Sequence, residues 1–225
     1  MSSLNQQAFA GLAFLIVVLG AALFAPAGTL DYWQAWVFLA VFSSGVVAIT
    51  IDLAKVDPAL LARRVHAGPI AEKERRQKVI QGLASLVFVG GFVLCALDRR
   101  QGWSHVPMMI VIAGDALVAG GLFVVFRVFR ANTFTSGTIE VAPGQEVVST
   151  GPYAVVRHPM YAGALVMMLG VPIALGSWWG LIVVPMMGLV IVSRLLDEEA
   201  HLAADLRGYE EYRTQVKRRL VPFVW

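Results

Sequence analysis

Between His158 and Ser193 the chain runs 36 residues without a lysine, arginine, aspartate or glutamate. As one helix that run would reach roughly 54 Å at about 1.5 Å per residue, well beyond a hydrocarbon layer of about 30 Å. It has to fold back on itself. Pro172 and the Gly176-Ser177 pair lie near its middle, which predicts a hairpin of two short helices, about Tyr161 to Leu175 and Trp179 to Leu196. Four further stretches have spanning length: Phe9 to Phe24, Trp33 to Ile51, Val79 to Leu97, and Pro107 to Phe126, the last interrupted only by Asp115. With 58% hydrophobic and 15% charged residues and a mean hydropathy of +0.70, no ordinary soluble domain fits. The expected fold class is all-α, a polytopic membrane helical bundle of about six membrane segments with a C-terminal helical hairpin and a cytoplasmic C-terminal helix.

The basic residues set the expected orientation. With both termini cytoplasmic, the loop from Lys55 to Lys78 carries seven lysines and arginines, Arg127 to Arg157 three, and the tail from Arg194 six. Only Arg99 and Arg100 of the eighteen are left outside. The net charge of +3 therefore follows from membrane topology, and nucleic acid is not an expected partner. The single cysteine, Cys95, lies in an expected span and rules out a disulfide within the chain. Met1 to Gln7 has no basic stretch of a signal peptide, so the first apolar run reads as a retained helix.

The chain divides near Arg130. Residues 1–130 read as transmembrane scaffold helices with a charged cytoplasmic loop at 52–78, in which Asp57-Pro58 and Gly68-Pro69 bracket a short helical piece. Residues 131–225 carry the unusual chemistry. Thr138-Ile139-Glu140-Val141 and Glu146-Val147-Val148-Ser149 flank Pro143-Gly144 and suggest a small β-hairpin. Gly151-Pro152-Tyr153 then leads to Arg157-His158-Pro159-x-Tyr161-x-Gly163, a density of polar and conformationally special residues unlike packing sequence. Asp197-Glu198-Glu199 stands where the last membrane helix leaves the bilayer, followed by Gly208-Tyr209-x-x-Tyr212 and Arg219-Leu220-x-Pro222-Phe223. A membrane hairpin places the basic turn and the acidic helix end at one face.

The order and spacing of these pieces, from about Asn132 to Trp225, resemble the isoprenylcysteine carboxyl methyltransferase family, its bacterial members in particular, and more distantly phospholipid methyltransferases. The resemblance implies a bacterial inner-membrane enzyme with S-adenosyl-L-methionine bound at the cytoplasmic mouth of the hairpin, so that residues 131–225 form the cofactor-binding catalytic region. It also implies cofactor contacts from His158, Pro159, Tyr161, Gly163, Glu198 and Glu199. Arg157, Tyr212 and Arg219 are implied on the reacting side. The acceptor would be lipid-like or hydrophobic, the carboxylate of a prenylcysteine-type compound being favoured, with its tail reaching the site from the bilayer. The eukaryotic members carry an arginine just before the position of Val216, where this chain has Gln215.

Methyl transfer to a carboxylate needs orientation more than a base, and a guanidinium can hold a carboxylate by paired hydrogen bonds. An amine or thiol acceptor would need a base, for which His158 or a tyrosinate are the candidates. A sterol-reductase-like enzyme using NADPH, a phospholipid N-methyltransferase and a non-catalytic membrane scaffold are the rival readings. Glu198-x-x-His201 shares a helix face, but no second such motif accompanies it and no metal is expected. Asp115, deep in a span, reads equally as a functional or a structural residue; in the structural reading it hydrogen-bonds a neighbouring helix, with Ala116-x-x-x-Gly120 as the small-residue face that admits it.

Overall fold

The computed structural model describes residues 2–65, 75–135, 137, 141–222 and 225. Among the described residues eight α-helices follow in order: α1 Ser2–Ala27, α2 Trp33–Val56, α3 Pro58–Val65, α4 Arg75–Gln101, α5 Met108–Ala131, α6 Pro159–Ala174, α7 Val183–Asp205 and α8 Tyr209–Gln215. Short 3-10 turns occupy Gly151–Ala154 and Trp179–Ile182. Five of the helical segments, α1, α2, α4, α5 and Trp179–Asp205, are long and apolar enough to cross a membrane, and α6 is a shorter apolar helix. Phe14, Leu86, Phe123 and Leu189 are each more than half exposed, which is the surface expected of a chain whose outer solvent is lipid. The fold is an all-helical polytopic bundle.

At two boundaries the local chemistry is plain. Asp57 accepts the Leu60 N–H at 2.9 Å and Pro58 opens α3, a capping carboxylate followed by a residue with no N–H to lose. The α6 to α7 reversal follows the same logic. Gly176 has φ +71, its N–H reaches the Ile173 carbonyl, and the Ser177 N–H reaches the Pro172 carbonyl, so a left-handed glycine closes α6 while satisfying its last carbonyls. The second arm is longer than expected. α7 continues to Asp205, so Asp197, Glu198 and Glu199 stand on the helix itself.

The tightest seam lies between α5 and α6. A Cβ added at Gly114 would sit 2.3 Å from the Ala174 nitrogen, one at Gly121 2.6 Å from the Gly163 oxygen, and one at Gly170 2.7 Å from the Gly114 oxygen. Missing side chains let the two backbones touch, which fixes the depth at which α6 starts. Elsewhere the core is ordinary apolar packing: Phe38, Phe42 and Phe92 from α2 and α4 bury their rings together, and Cys95 is buried as expected.

Two expectations change. Gly120 has nothing within 4 Å and Ala116 is exposed, so the small residues that admit a neighbour are Gly114 and Gly121 instead. The rotation of α5 turns Gly114 and Gly121, and not Gly120, toward α6. Asp115 is buried, yet neither carboxylate oxygen has a hydrogen-bond partner among the described residues. The turn at Pro143-Gly144 forms, with Gly144 at φ +74 and the Gln145 N–H on the Ala142 carbonyl. The second flanking strand does not: 146–149 is irregular, while 138–140 and Gly68-Pro69 lie outside the described residues. Val141 and Val147 pack instead on Tyr209 and Tyr212, burial that replaces a strand ladder.

Candidate active site

The site grows from the place where the chain enters α6. Pro159 is the first helical residue, and His158 before it is non-helical at φ −123 and ψ 63. Non-helical backbone here leaves two N–H groups needing partners, and the C-terminal tail supplies them: Arg157 donates to the Arg218 carbonyl and His158 to the Arg219 carbonyl, both at 2.9 Å. The tail is thereby laid against the turn.

Side chains complete the join. Glu199, buried on α7, takes Arg157 Nε at 2.6 Å on Oε1 and Arg219 Nε at 2.8 Å on Oε2. His158 Nε2 stands 3.2 Å from Oε1. Arg157 also donates through Nη1 to the Val216 and Lys217 carbonyls at 3.0 and 3.2 Å. One carboxylate thus gathers the turn before α6, the end of α7 and the tail, three segments that the sequence keeps up to 62 residues apart from Arg157 to Arg219. Removing one partner of such a buried group costs about 3–5 kcal/mol.

Beside Glu199, Glu198 points elsewhere. Its Oε2 accepts the Tyr161 hydroxyl at 2.7 Å, and that hydroxyl accepts Arg194 Nε at 3.1 Å. Arg194 continues to Gln77 Oε1 at 3.0 Å and the Gly137 carbonyl at 2.8 Å, while Gln77 donates to Asp197 at 2.6 Å. A second polar chain therefore ties α4, α6 and α7 around Tyr161.

Between these networks opens a cavity whose space, with the open solvent at its mouth included, is about 890 Å³. Arg157, His158, Pro159, Tyr161 and Glu198 line one side, and Tyr153, Tyr209 and Tyr212 the aromatic side. Tyr212 donates to the Tyr153 carbonyl at 2.7 Å and Asn132 Nδ2 to the Tyr153 hydroxyl at 3.1 Å, which holds the aromatic wall. Tyr209 is buried and its hydroxyl has no partner among the described residues, although it borders the cavity. Burial raises the Tyr153, Tyr209 and Tyr212 phenols above their ordinary range, so they stay neutral near pH 7.

Of the residues singled out from sequence, Arg157, His158, Pro159, Tyr161, Glu198 and Tyr212 meet at this cavity. Glu199 and Arg219 are bound to its wall from behind. Gly163 is not brought there: its Cα faces Gly121 and Val124 of α5, where a Cβ would stand 3.0 Å from both. Sequence reasoning passed over Arg194 and Gln77, and it quoted Tyr153 and Tyr209 in its motifs without giving either a role in the site. For Arg194 a signal existed, a cation inside an apolar run four residues before Glu198 and so on the same helix face. Among the described residues no group of three or more histidine, cysteine, aspartate or glutamate side chains could hold a metal ion.

Residues 109–207 match the family model described as phospholipid methyltransferase. Over that stretch the chain is similar to phospholipid methyltransferases. The match begins within α5 and ends just past α7, so it contains the glycine seam, the Arg-His-Pro turn, the hairpin and the acidic pair. No curated protein matches the chain.

Proposed function

We propose that this chain is an integral membrane methyltransferase that moves a methyl group from S-adenosyl-L-methionine to a lipid-like or hydrophobic acceptor. The observation that carries the reading is the single cavity on which the Arg-His-Pro turn, the acidic end of α7 and the tyrosines of α8 converge. The similarity of residues 109–207 to phospholipid methyltransferases supports it and favours methyl over hydride transfer. In this reading residues 131–225 supply the chemistry, residues 1–130 hold them in the membrane, and the site opens to the cytoplasm of a bacterial inner membrane.

The lining suits the cofactor. S-adenosyl-L-methionine is a cation with an ammonium, an aromatic base and ribose hydroxyls; a carboxylate at Glu198, three aromatic side chains and an unpartnered Tyr209 hydroxyl offer the matching chemistry. Its sulfonium supplies an activated methyl: as the acceptor atom bonds to carbon the S–CH3 bond breaks, and sulfur keeps the electron pair as a neutral thioether. The protein has to orient and dehydrate. Arg157 is fixed through Nε and Nη1 and lines the cavity, and in this reading its guanidinium holds an acceptor carboxylate. A carboxylate, as in a prenylcysteine-type compound, needs no proton removed. Phospholipid amine methylation is the second reading, favoured by the description of the matching family. That reaction requires a base, and the neutral phenols of Tyr153, Tyr209 and Tyr212 leave His158 for the task.

The test is to incubate the purified chain with methyl-labelled S-adenosyl-L-methionine, a prenylcysteine analogue and a membrane lipid extract, and to identify the labelled product. A methyl ester, or a methylated amine, decides between the readings; no label in any lipid or analogue rejects both. Arg157→Ala should lower kcat at least tenfold while the affinity for S-adenosylhomocysteine changes less, and the reverse order removes Arg157 as an acceptor clamp.

A further inference from the structure

A groove runs along the outward side of α2 and α5, away from the catalytic cavity, with which it shares no described lining residue. Ala40, Ser44 and Ala48 on α2 are short and exposed, which keeps the groove open beside Phe123 and Phe126 of α5. Its space, with the open solvent at its mouth included, is about 1320 Å³. The two helices run in the same direction, because Gly45 lies against Leu122 and Asp52 against Arg130. From Ala40 to Asp52 the groove extends about 18 Å at about 1.5 Å per residue, a little over half of a hydrocarbon layer of about 30 Å. That is the depth of one leaflet.

One end of the groove is charged, and it is the end at which α5 delivers Asn132 to the catalytic cavity. Asp52 lines the groove there and holds Arg130 Nη1 at 3.3 Å. Two more cations belong to this end. Arg127 lies four residues beyond Phe123 and Lys55 three beyond Asp52, so each shares the helix face of a groove-lining residue. Both are exposed, and neither has an ion pair or a hydrogen bond among the described residues. The next carboxylate along the chain, Asp57, is engaged by the Leu60 N–H and the Thr133 hydroxyl. With Arg130 offset by Asp52, Lys55 and Arg127 leave an excess of positive charge over an apolar slot. Lysine and arginine at the edge of a hydrocarbon layer attract lipid phosphate, and their long stems let them reach it. We infer that the groove between α2 and α5 is a binding site for an anionic phospholipid of the surrounding leaflet, with an acyl chain in the slot and the phosphate on Lys55 and Arg127. A zwitterionic phospholipid brings the same chains and phosphate, but its ammonium adds positive charge to a mouth that is already cationic. The site stands independently of the methyltransferase reading.

The experiment uses the full chain in phosphatidylcholine nanodiscs doped with a photoreactive phosphatidylglycerol or a photoreactive phosphatidylethanolamine, both carrying the same diazirine-bearing chain. Cross-linked peptides are mapped by mass spectrometry. Phosphatidylglycerol should label α2 and α5 around Ser44, Ala119 and Phe123 at least fivefold more than phosphatidylethanolamine does, and unlabelled phosphatidylglycerol should displace it. Equal labelling by the two lipids, or phosphatidylglycerol labelling spread evenly over the outward faces of the other helices, overturns the proposal without any variant being made. Lys55→Gln combined with Arg127→Gln should lower phosphatidylglycerol labelling of the groove about tenfold, while labelling elsewhere on the chain stays within twofold. Selectivity that survives this double change overturns the assignment of the head group. Ser44→Leu with Ala48→Leu fills the slot without touching a charge and should lower groove labelling by both lipids at least fivefold; unchanged labelling overturns the slot as the seat of the chain. The readout involves no cofactor and no methyl transfer, so its outcome is separate from that of the activity assay.

Discussion

Two buried polar knots sit at opposite ends of the α6 to α7 hairpin, and they differ in what they enclose. At the turn end, Asp98 of α4 accepts the Ser104 N–H at 2.8 Å, the Ser104 hydroxyl at 2.6 Å and the Ser177 hydroxyl at 2.5 Å. Ser177 in turn takes the Gly180 N–H at 2.9 Å, and Tyr32 donates to the Leu175 carbonyl at 2.7 Å. That knot is made of short side chains that use one another up. At the open end, Glu199 gathers two arginines and a histidine, long side chains that reach between segments and leave a cavity beside them. Short polar groups close a helical turn; long charged ones can hold a pocket's wall from behind and still leave its face available.

The contrast can be broken at either end. Glu199→Gln leaves the buried Arg157, and the partly exposed Arg219, against a neutral amide and should cost about 3–5 kcal/mol, seen as a lower Tm in detergent. It should also weaken S-adenosylhomocysteine binding more than tenfold, because the tail and the Arg-His-Pro turn lose their common partner. Asp98→Ala should destabilise by about 3 kcal/mol through orphaned hydroxyls while calorimetry finds cofactor affinity within twofold. If both variants lose affinity equally, the two knots are one cooperative unit.

Smaller changes sharpen the picture. Gly163→Ala forces a methyl group against Gly121 and Val124 and should cost about 1–3 kcal/mol in thermal unfolding, with little direct effect on the cofactor. A loss of affinity without a loss of stability would return Gly163 to the binding surface. Tyr209→Phe removes a hydroxyl that has no partner among the described residues, so stability should hold within about 1 kcal/mol. Its affinity for S-adenosylhomocysteine should fall about fivefold if that hydroxyl serves the ligand.

Much of this was legible in the order of residues. The hairpin followed from a run too long for one crossing, and its turn from Pro172 and Gly176, because length and backbone freedom are local properties. The Arg-His-Pro turn and the acidic pair could be nominated because charge in apolar surroundings is costly wherever it occurs. Their division of labour could not. Adjacent glutamates on a helix point about 100° apart, so Glu198 and Glu199 look alike in sequence yet one faces the cavity and the other locks the tail. Gly163 likewise looked like part of the motif beside it, whereas the packing of α5 claims it.

The chain alone determined that it is a bundle of apolar helices, where the last pair reverses and which residues are too polar to be filler, since those follow from hydrophobicity, length and conformational preference. Only the tertiary structure decided which rotation of α5 meets α6, which of two neighbouring carboxylates is consumed by arginines, and that Arg194 joins Tyr161 of α6 to Gln77 of α4. Those outcomes depend on facing directions across helices far apart in sequence, and facing is fixed by packing.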